Sequence, residues 1–372
     1  MFIRADKKTL LEAIAPCMCA VATKSANNTL SCLYFKAEEG EKLAVTSFDT
    51  SKGVKTRLDA FVLEQGSLLL DAVRFHSIVR SLPDGEISIS SDENFVTTIS
   101  SGSAKFEILG LSADSFPAIP QLSGESKFVI RQGVLKKMLQ QVLFAASVID
   151  LKPILTGVLF EMKGDSLRLC ACDGYRIAIR DEVCAGGLDT DVNFVVPAKT
   201  LQELIKLLSD DEEDQVKIEL ARRHLIFAFD DFTFFSRYVD GEYIDYKRSL
   251  TNEFKTVITL GLSDAIGCLE RCSLLIDERA KAPVRLSIEA GAISVKCATA
   301  NGKIDEVFPC ETEGEQMVIG FNNKFLLDAL RAAHLCGDDE VVMEVTSPLS
   351  GMAIRPAEHT RYYYMVVPMR LN

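Results

Sequence analysis

Hydrophobic and polar positions along the chain follow two periods. Apolar residues recur at helical spacing over residues 9–21, 134–146 and 262–276, and again over 74–82, 199–208 and 323–331. Strand-like segments run over 30–36, 43–49, 158–162, 167–173 and 293–299. Further strands follow over 86–90, 216–220 and 341–345, with turn signals at Pro83-Asp84-Gly85, Asp240-Gly241 and Gly337-Asp338. The pattern predicts six helices, at residues 7–21, 70–82, 131–145, 198–209, 262–276 and 321–334, set among antiparallel strands.

The order of elements repeats. The helical segments beginning at Arg74, Lys199 and Asn323 are 125 and 124 residues apart. The strand segments beginning at Leu43, Leu167 and Ile293 are 124 and 126 apart. Two separate markers in one register predict three tandem α+β units, each with two helices against antiparallel sheet. A chain of 372 residues fits two or three domains of about 150 residues.

Composition narrows the function classes. Hydrophobic content of 48% with 25% charged residues excludes a disordered chain. The longest apolar run, residues 10–22, contains Glu12 and Pro16 and is too short to span a bilayer. No apolar segment directly follows Arg4, Lys7 and Lys8, so no secretory signal is expected. The eleven cysteines are then expected as reduced thiols in a cytoplasmic protein. Neither phosphate-cradling glycine loop occurs: Gly302-Lys303 runs into Ile304 and no G-x-G-x-x-G exists. The four histidines, His76, His224, His334 and His359, are scattered and offer no metal set or triad. Cys170 and Cys172 share one strand face as small core hydrophobes, and the run from Asp210 to Asp214 reads as a solvated loop. No metal or cofactor is expected.

The net charge of −12 argues against nucleic-acid binding through overall attraction. Its distribution changes that picture. The six helical segments carry 12 basic and 6 acidic residues, a surplus of +6, which leaves −18 on the remainder. A positive helical layer suits a phosphate backbone contacted without reading bases. Helices about 10 Å wide, set side by side, close a hole of only about 9 Å when six are used. Twelve leave about 28 Å and eighteen about 47 Å. Two chains, not one, would surround a duplex roughly 20 Å wide.

Several local motifs carry a resemblance. Residues 172–177 read CDGYRI, 194–197 FVVP, 238–246 YVDGEYIDY, 319–322 IGFN and 367–371 VPMRL, with SLPDG at 81–85 and Phe116-Pro117. In this order and spacing, over nearly the whole chain, they resemble the bacterial sliding clamp family, the beta subunit of DNA polymerase III. The resemblance implies three clamp domains, at 1–121, 122–250 and 251–372. It implies a head-to-tail homodimeric ring with the helices lining the hole, encircling double-stranded DNA without sequence preference. The implied role is a non-catalytic processivity factor that tethers the DNA polymerase III alpha subunit and other clamp-motif proteins. An ATP-dependent clamp loader would open it.

Family positions carried onto this chain give a partner-peptide pocket of Leu155, Thr156, Cys172, Gly174, Tyr175, Arg176, Ile177, Ile244, Arg248 and Ser249. Its second part is Asn322, Phe325, Leu349, Gly351 and the tail Met365, Val366, Val367, Pro368, Met369 and Arg370. Cys172 stands where the family usually has Thr, Ile244 where Pro is usual and Val367 where Met is usual, and Asn372 follows the usual terminal Leu. The expected DNA-facing residues are Lys24, Arg74, Arg80, Arg131, Lys136, Lys137, Lys199, Lys206, Lys324 and Arg331. The expected dimer interface pairs Phe106 and Ile108, on an apolar edge strand at 105–109, with Leu274 and Leu275 at a helix end. Two other readings compete: an enzyme using Cys172, Asp173 and Arg176 as nucleophile, acid and anion binder, and a monomeric three-domain peptide-binding scaffold.

Overall fold

The structure, a computed structural model, describes residues 1–23, 27–38, 42–120, 126–149, 151–211, 213–250, 253–276 and 282–371. Among the described residues six α-helices stand at Lys7–Cys17 (α1), Ala72–Ser81 (α2), Gln132–Val142 (α3), Ala198–Leu207 (α4), Leu262–Ser273 (α5) and Asn323–His334 (α6). Each is shorter than the apolar period predicts. Pro16 cannot donate a backbone hydrogen bond, and α1 gives way to a 3₁₀ turn at Met18–Ala20. α3 likewise tightens into Leu143–Ala145. Asp71 and Arg131 are N-caps, not helical residues; the Asp71 carboxylate accepts from the Arg74 amide at 2.8 Å. One basic and one acidic residue thus leave the helices, and their surplus of +6 is unchanged.

The chain forms two compact units. The first comprises Met1–Ile130 with Glu213–Tyr238. It holds a five-stranded sheet in the order Phe61–Glu64, Phe2–Asp6, Glu86–Ser91, Val96–Ser101, Ala104–Leu109. A second sheet runs Gly66–Asp71, Cys32–Glu38, Lys42–Phe48, Lys52–Asp59, Phe232–Arg237, His224–Ala228, Gln215–Leu220. Residues 213–238 join this unit because Phe232–Arg237 pairs antiparallel with Lys52–Asp59. The joint is filled by Phe234 and Phe235, both fully buried.

The second unit comprises Arg131–Glu212 with Val239–Asn372. Its long hairpin, Gly157–Cys172 with Arg176–Pro197, pairs through the latter strand with Tyr362–Val366. The sheet continues through Met352–Pro356, Glu340–Val345, Thr256–Gly261 and Glu311–Gly314. A four-stranded sheet runs Gly302–Pro309, Ala292–Thr299, Val284–Glu289, Met317–Phe321. α3 lies against α4 and α6, and α5 against α6. Each helix turns its apolar stripe to a sheet; α4 buries Ala198, Thr200, Leu201 and Leu204.

Candidate functional site

The turn joining the long hairpin of the second unit is set by Asp173. Its Oδ1 accepts from the amides of Tyr175 (2.9 Å) and Arg176 (3.0 Å), and Gly174 takes φ +90°. This leaves the Tyr175 ring 63% exposed and turns Arg176 inward, to 8%. Arg176 Nε donates to Asp173 Oδ2 at 3.0 Å and Nη1 to Asp328 Oδ2 at 2.7 Å. The guanidinium lies 4.4 Å from the Phe325 ring centroid and 5.2 Å from that of Phe144. Two carboxylates and two aromatic faces hold a buried cation that desolvation alone would expel. Tyr175 stacks on Phe325 at 6.2 Å.

Behind this turn lies one apolar cluster: Cys172, Ile177 and Met365 with Leu159, Cys170, Ile179, Val195 and Tyr246. Ile154, Val239, Tyr243, Ile244, Leu250, Tyr363 and Val367 pack on it, half-buried. Leu155 and Val366 are buried, and Thr156 donates to the Pro153 carbonyl at 2.7 Å. The C-terminal tail is laid against the same region. The Val367 amide donates to the Tyr175 carbonyl at 2.9 Å and the Met369 amide to the Gly320 carbonyl at 2.8 Å. A Cβ on Gly320 would sit 2.6 Å from Leu371, and one on Gly351 2.9 Å from the Met365 sulfur. Pro368 and Met369 stay half-exposed, Arg370 is exposed, and Leu349 is 76% exposed.

The structure thus gathers Cys172, Ile177, Ile244, Met365 and Val367 in one cluster, and links Tyr175, Arg176 and Phe325 by ring and ion contacts. Other expected members are occupied elsewhere. The Asn322 side chain caps α6, accepting from Lys324 and Phe325 amides at 3.0 and 3.4 Å. Arg248 points outward to Asp245 at 2.7 Å, and Ser249 is exposed beside it. Sequence reasoning missed Phe144, Ile154, Val239, Tyr243 and the second carboxylate, Asp328. Phe144 and Asp328 sit in helical segments whose apolar period was read, but no local spacing ties either to Arg176.

This geometry does not activate Cys172. The thiol is 3% exposed and burial pushes its pKa up; the Gly174 amide hydrogen bond partly offsets this, and the Asp173 charge adds a smaller upward push. Cys170 beside it is pushed well above its usual value by burial. A soluble maleimide should therefore leave Cys172 unmodified in the folded chain. Rapid labelling of its tryptic peptide, without prior denaturation, would contradict this.

The expected DNA-facing cations divide by partner. Arg74, Arg80, Arg131, Lys137, Lys199 and Lys324 are exposed and make no ion pair within 4 Å among the described residues. Lys136 is tied to Asp210 at 2.7 Å, Lys206 to Glu203 at 2.8 Å and Arg331 to Glu270 at 2.7 Å. Lys24 lies outside the described residues. Arg131 and Lys137 border a cleft of about 370 Å³ with Arg180, Arg361, Glu182 and Asp210. Four cations against two carboxylates leave it net positive.

Ala104–Leu109 is the outer strand of its sheet, with Phe106 38% and Leu109 70% exposed and Ile108 half-buried. Leu274, 83% exposed, and Leu275 stand in the turn after α5 and not in the helix. The structure adds an element that the sequence pattern did not single out. Gly302–Pro309 is also an outer strand, with Val307 63% exposed.

Family models of the DNA polymerase III beta subunit match the chain in three consecutive pieces. The N-terminal domain matches residues 1–120, the central domain 129–245 and the C-terminal domain 247–370. The beta sliding clamp of Halalkalibacterium halodurans is 31% identical over 344 residues, covering 89% of each chain. That of Synechocystis is 30% identical over 374 residues, covering 95% of each. A putative DNA polymerase III beta subunit from Eubacterium rectale superposes with a TM-score of 0.95 at 31% identity, covering 99% of each chain. The DNA polymerase sliding clamp of Bacillus subtilis does so at 0.95 and 28%, covering 100% of each.

Proposed function

Since the chain belongs to the DNA polymerase III beta subunit family, the bacterial sliding clamps, we propose that it encircles duplex DNA as a head-to-tail homodimer and tethers the replicative polymerase. The observation that carries this is the division of charge. Helices holding a surplus of +6 present Arg74, Arg80, Lys137, Lys199 and Lys324, unpaired among the described residues, on their exposed faces, in a chain whose remainder is −18. Exposed cations without a competing carboxylate can neutralise phosphates without ordering themselves around a base edge. Retention on closed circular against linearised DNA is the test.

Three clamp domains at 1–121, 122–250 and 251–372 supply six helices per chain, so two copies supply the twelve that the duplex requires. The Tyr175–Arg176–Phe325 surface and the tail through Arg370 form the docking site for a short peptide of the DNA polymerase III alpha subunit and other clamp-motif proteins. The exposed Tyr175 ring and Leu349 offer apolar contact at its rim. An ATP-dependent loader opens the ring, as the chain carries no nucleotide loop of its own. Among the described residues no helix is long and apolar enough to cross a membrane; a role on replicating bacterial DNA would put the protein in the cytoplasm.

Closure joins Phe106 and Ile108 of one copy to Leu274 and Leu275 of the other. Changing both leucines to Ala removes the exposed Leu274 side chain and the half-buried Leu275 side chain. The variant should sediment as a folded monomer where the parent is a dimer. A dimer as stable as the parent's would place the interface elsewhere.

A further inference from the structure

Two strand joints inside the chain are built alike. In the first unit Phe232–Arg237 pairs antiparallel with Lys52–Asp59, the second strand of a hairpin. In the second unit Tyr362–Val366 pairs with Arg176–Pro197, again the second strand of a hairpin. The two hairpin turns carry the same hydrogen bonds. Asp49 Oδ1 accepts from the amides of Ser51 (2.9 Å) and Lys52 (2.8 Å), as Asp173 does from Tyr175 and Arg176. Lys52 Nζ returns to Asp49 Oδ2 at 2.6 Å, as Arg176 Nε returns to Asp173. Thr50 takes φ +76° where Gly174 takes +90°. The Arg237 amide donates to the Ser51 carbonyl at 2.8 Å, as the Val367 amide does to that of Tyr175. In this register Phe48 corresponds to Cys172, Gly53 to Ile177 and Phe235 to Met365.

The filling of the two joints differs. At the second, Ile177 faces Met365 and Cys172, and Ile154, Tyr243, Ile244 and Val367 stand half-buried around them. This apolar rim lies at the surface that takes partner peptides in the reading above. At the first, the Phe235 ring lies across Gly53. A Cβ on that glycine would collide with the ring, 2.7 Å from its Cε1. The ring is fully buried, its centroid 5.6 Å from that of Phe48, and Ile226 completes the cluster. Phe116 and Ile119 pack against it, as Tyr243 and Ile244 do against the second cluster.

Gly53 shows that the ring is accommodated on purpose. It lies inside a strand, where glycine weakens pairing, and its φ is not positive, so the backbone does not require it. The corresponding Ile177 shows that such a joint accepts a β-branched residue at this position. The ring is what needs the missing side chain. Met365, by contrast, is unbranched and adaptable, a property suited to a surface that receives other chains.

Resting on the peptide-docking reading, we propose that the first joint is a second docking well of the same construction, closed by the chain's own Phe235. Phe235 thereby confines partner binding to the second joint. An open apolar well at each joint would give every chain a competing site and a further exposed patch.

The probe is the synthetic clamp-motif peptide of the polymerase alpha subunit, and calorimetry reads the plug as stoichiometry. Phe235→Ala opens the well, and this variant should take about two peptides per chain where the parent takes about one. Phe235→Met makes the same test with the residue of the second joint and a smaller loss of volume, which keeps the proposal testable if the alanine variant does not fold. In an Arg176→Ala background the added site should persist while the original one weakens by roughly thirtyfold. Melting gives an independent reading. Gly53→Ala alone should lower the melting temperature, and adding Phe235→Met should restore it, because the collision is with the ring. A folded Phe235→Met variant that still takes about one peptide per chain overturns the plug, while the parent's single site leaves the docking reading standing. A parent without affinity for the peptide overturns both.

Discussion

A ring of this chain loaded on a nicked circle should survive a salt concentration at which the same protein leaves a linear duplex. The helical charge surplus totals +12 in a dimer whose net charge is −24. Long-range attraction to DNA is therefore poor, and contact inside the hole is short-ranged. Each neutralised phosphate contributes a salt slope of about −0.9. A footprint of about six phosphates loses roughly a thousandfold in affinity between about 50 and 200 mM salt. Simple binding to a short linear duplex should collapse over that range. The loaded circle should change far less, since escape requires breaking protein–protein contacts. Linearising the circle should release the ring from the ends. Reversing Arg131, Lys137 and Lys199, which have no carboxylate partner within 4 Å among the described residues, should impair loading more than retention. Lys136 is the weaker choice, because Asp210 already holds it at 2.7 Å. Equal half-lives on circular and linear DNA at raised salt would mean ordinary electrostatic binding, and the encircling mechanism would have to be given up.

Loss of partner docking on changing Arg176 to Ala is the second large effect. The guanidinium fixes the turn carrying Tyr175, bridges Asp173 to Asp328 and underlies the Phe325 ring. Its removal leaves two partly buried carboxylates without their cation and frees both aromatic rings. Hot-spot truncations of this kind cost at least about 2 kcal/mol, roughly thirtyfold in affinity. A synthetic peptide carrying the clamp motif of the polymerase alpha subunit is the probe, and calorimetry the readout. Deleting residues 369–372 tests the same site while keeping the Arg176 ion pairs, because it removes only the tail beyond Pro368 and its bridge to Gly320. Both variants should remain dimeric, since neither touches the outer strands. Unchanged peptide affinity in both would place docking on another surface.

How far the sequence reaches is clear from particular residues. Its apolar periods determine six helices, the alternating strands and the threefold repeat, because burial of one face is a local requirement met by each segment separately. The charge surplus of the helices is likewise legible, since solvent-facing positions follow once the buried face is known. The motif at 172–177 marks the turn that carries Tyr175 and Arg176, and period two places Cys170 and Cys172 on one buried face. The tertiary structure alone decided what those faces meet. Arg176 finds Asp328 across 152 positions and Lys136 finds Asp210 across 74, and no periodicity encodes such partners. Helix ends moved inward because Pro16 and the caps at Asp71 and Arg131 act on single backbone groups that a moving pattern averages away. The outer position of Gly302–Pro309 was also invisible in the chain. A strand's own alternation records which face is buried, whereas an unpaired edge depends on which other strands of the fold come to lie beside it.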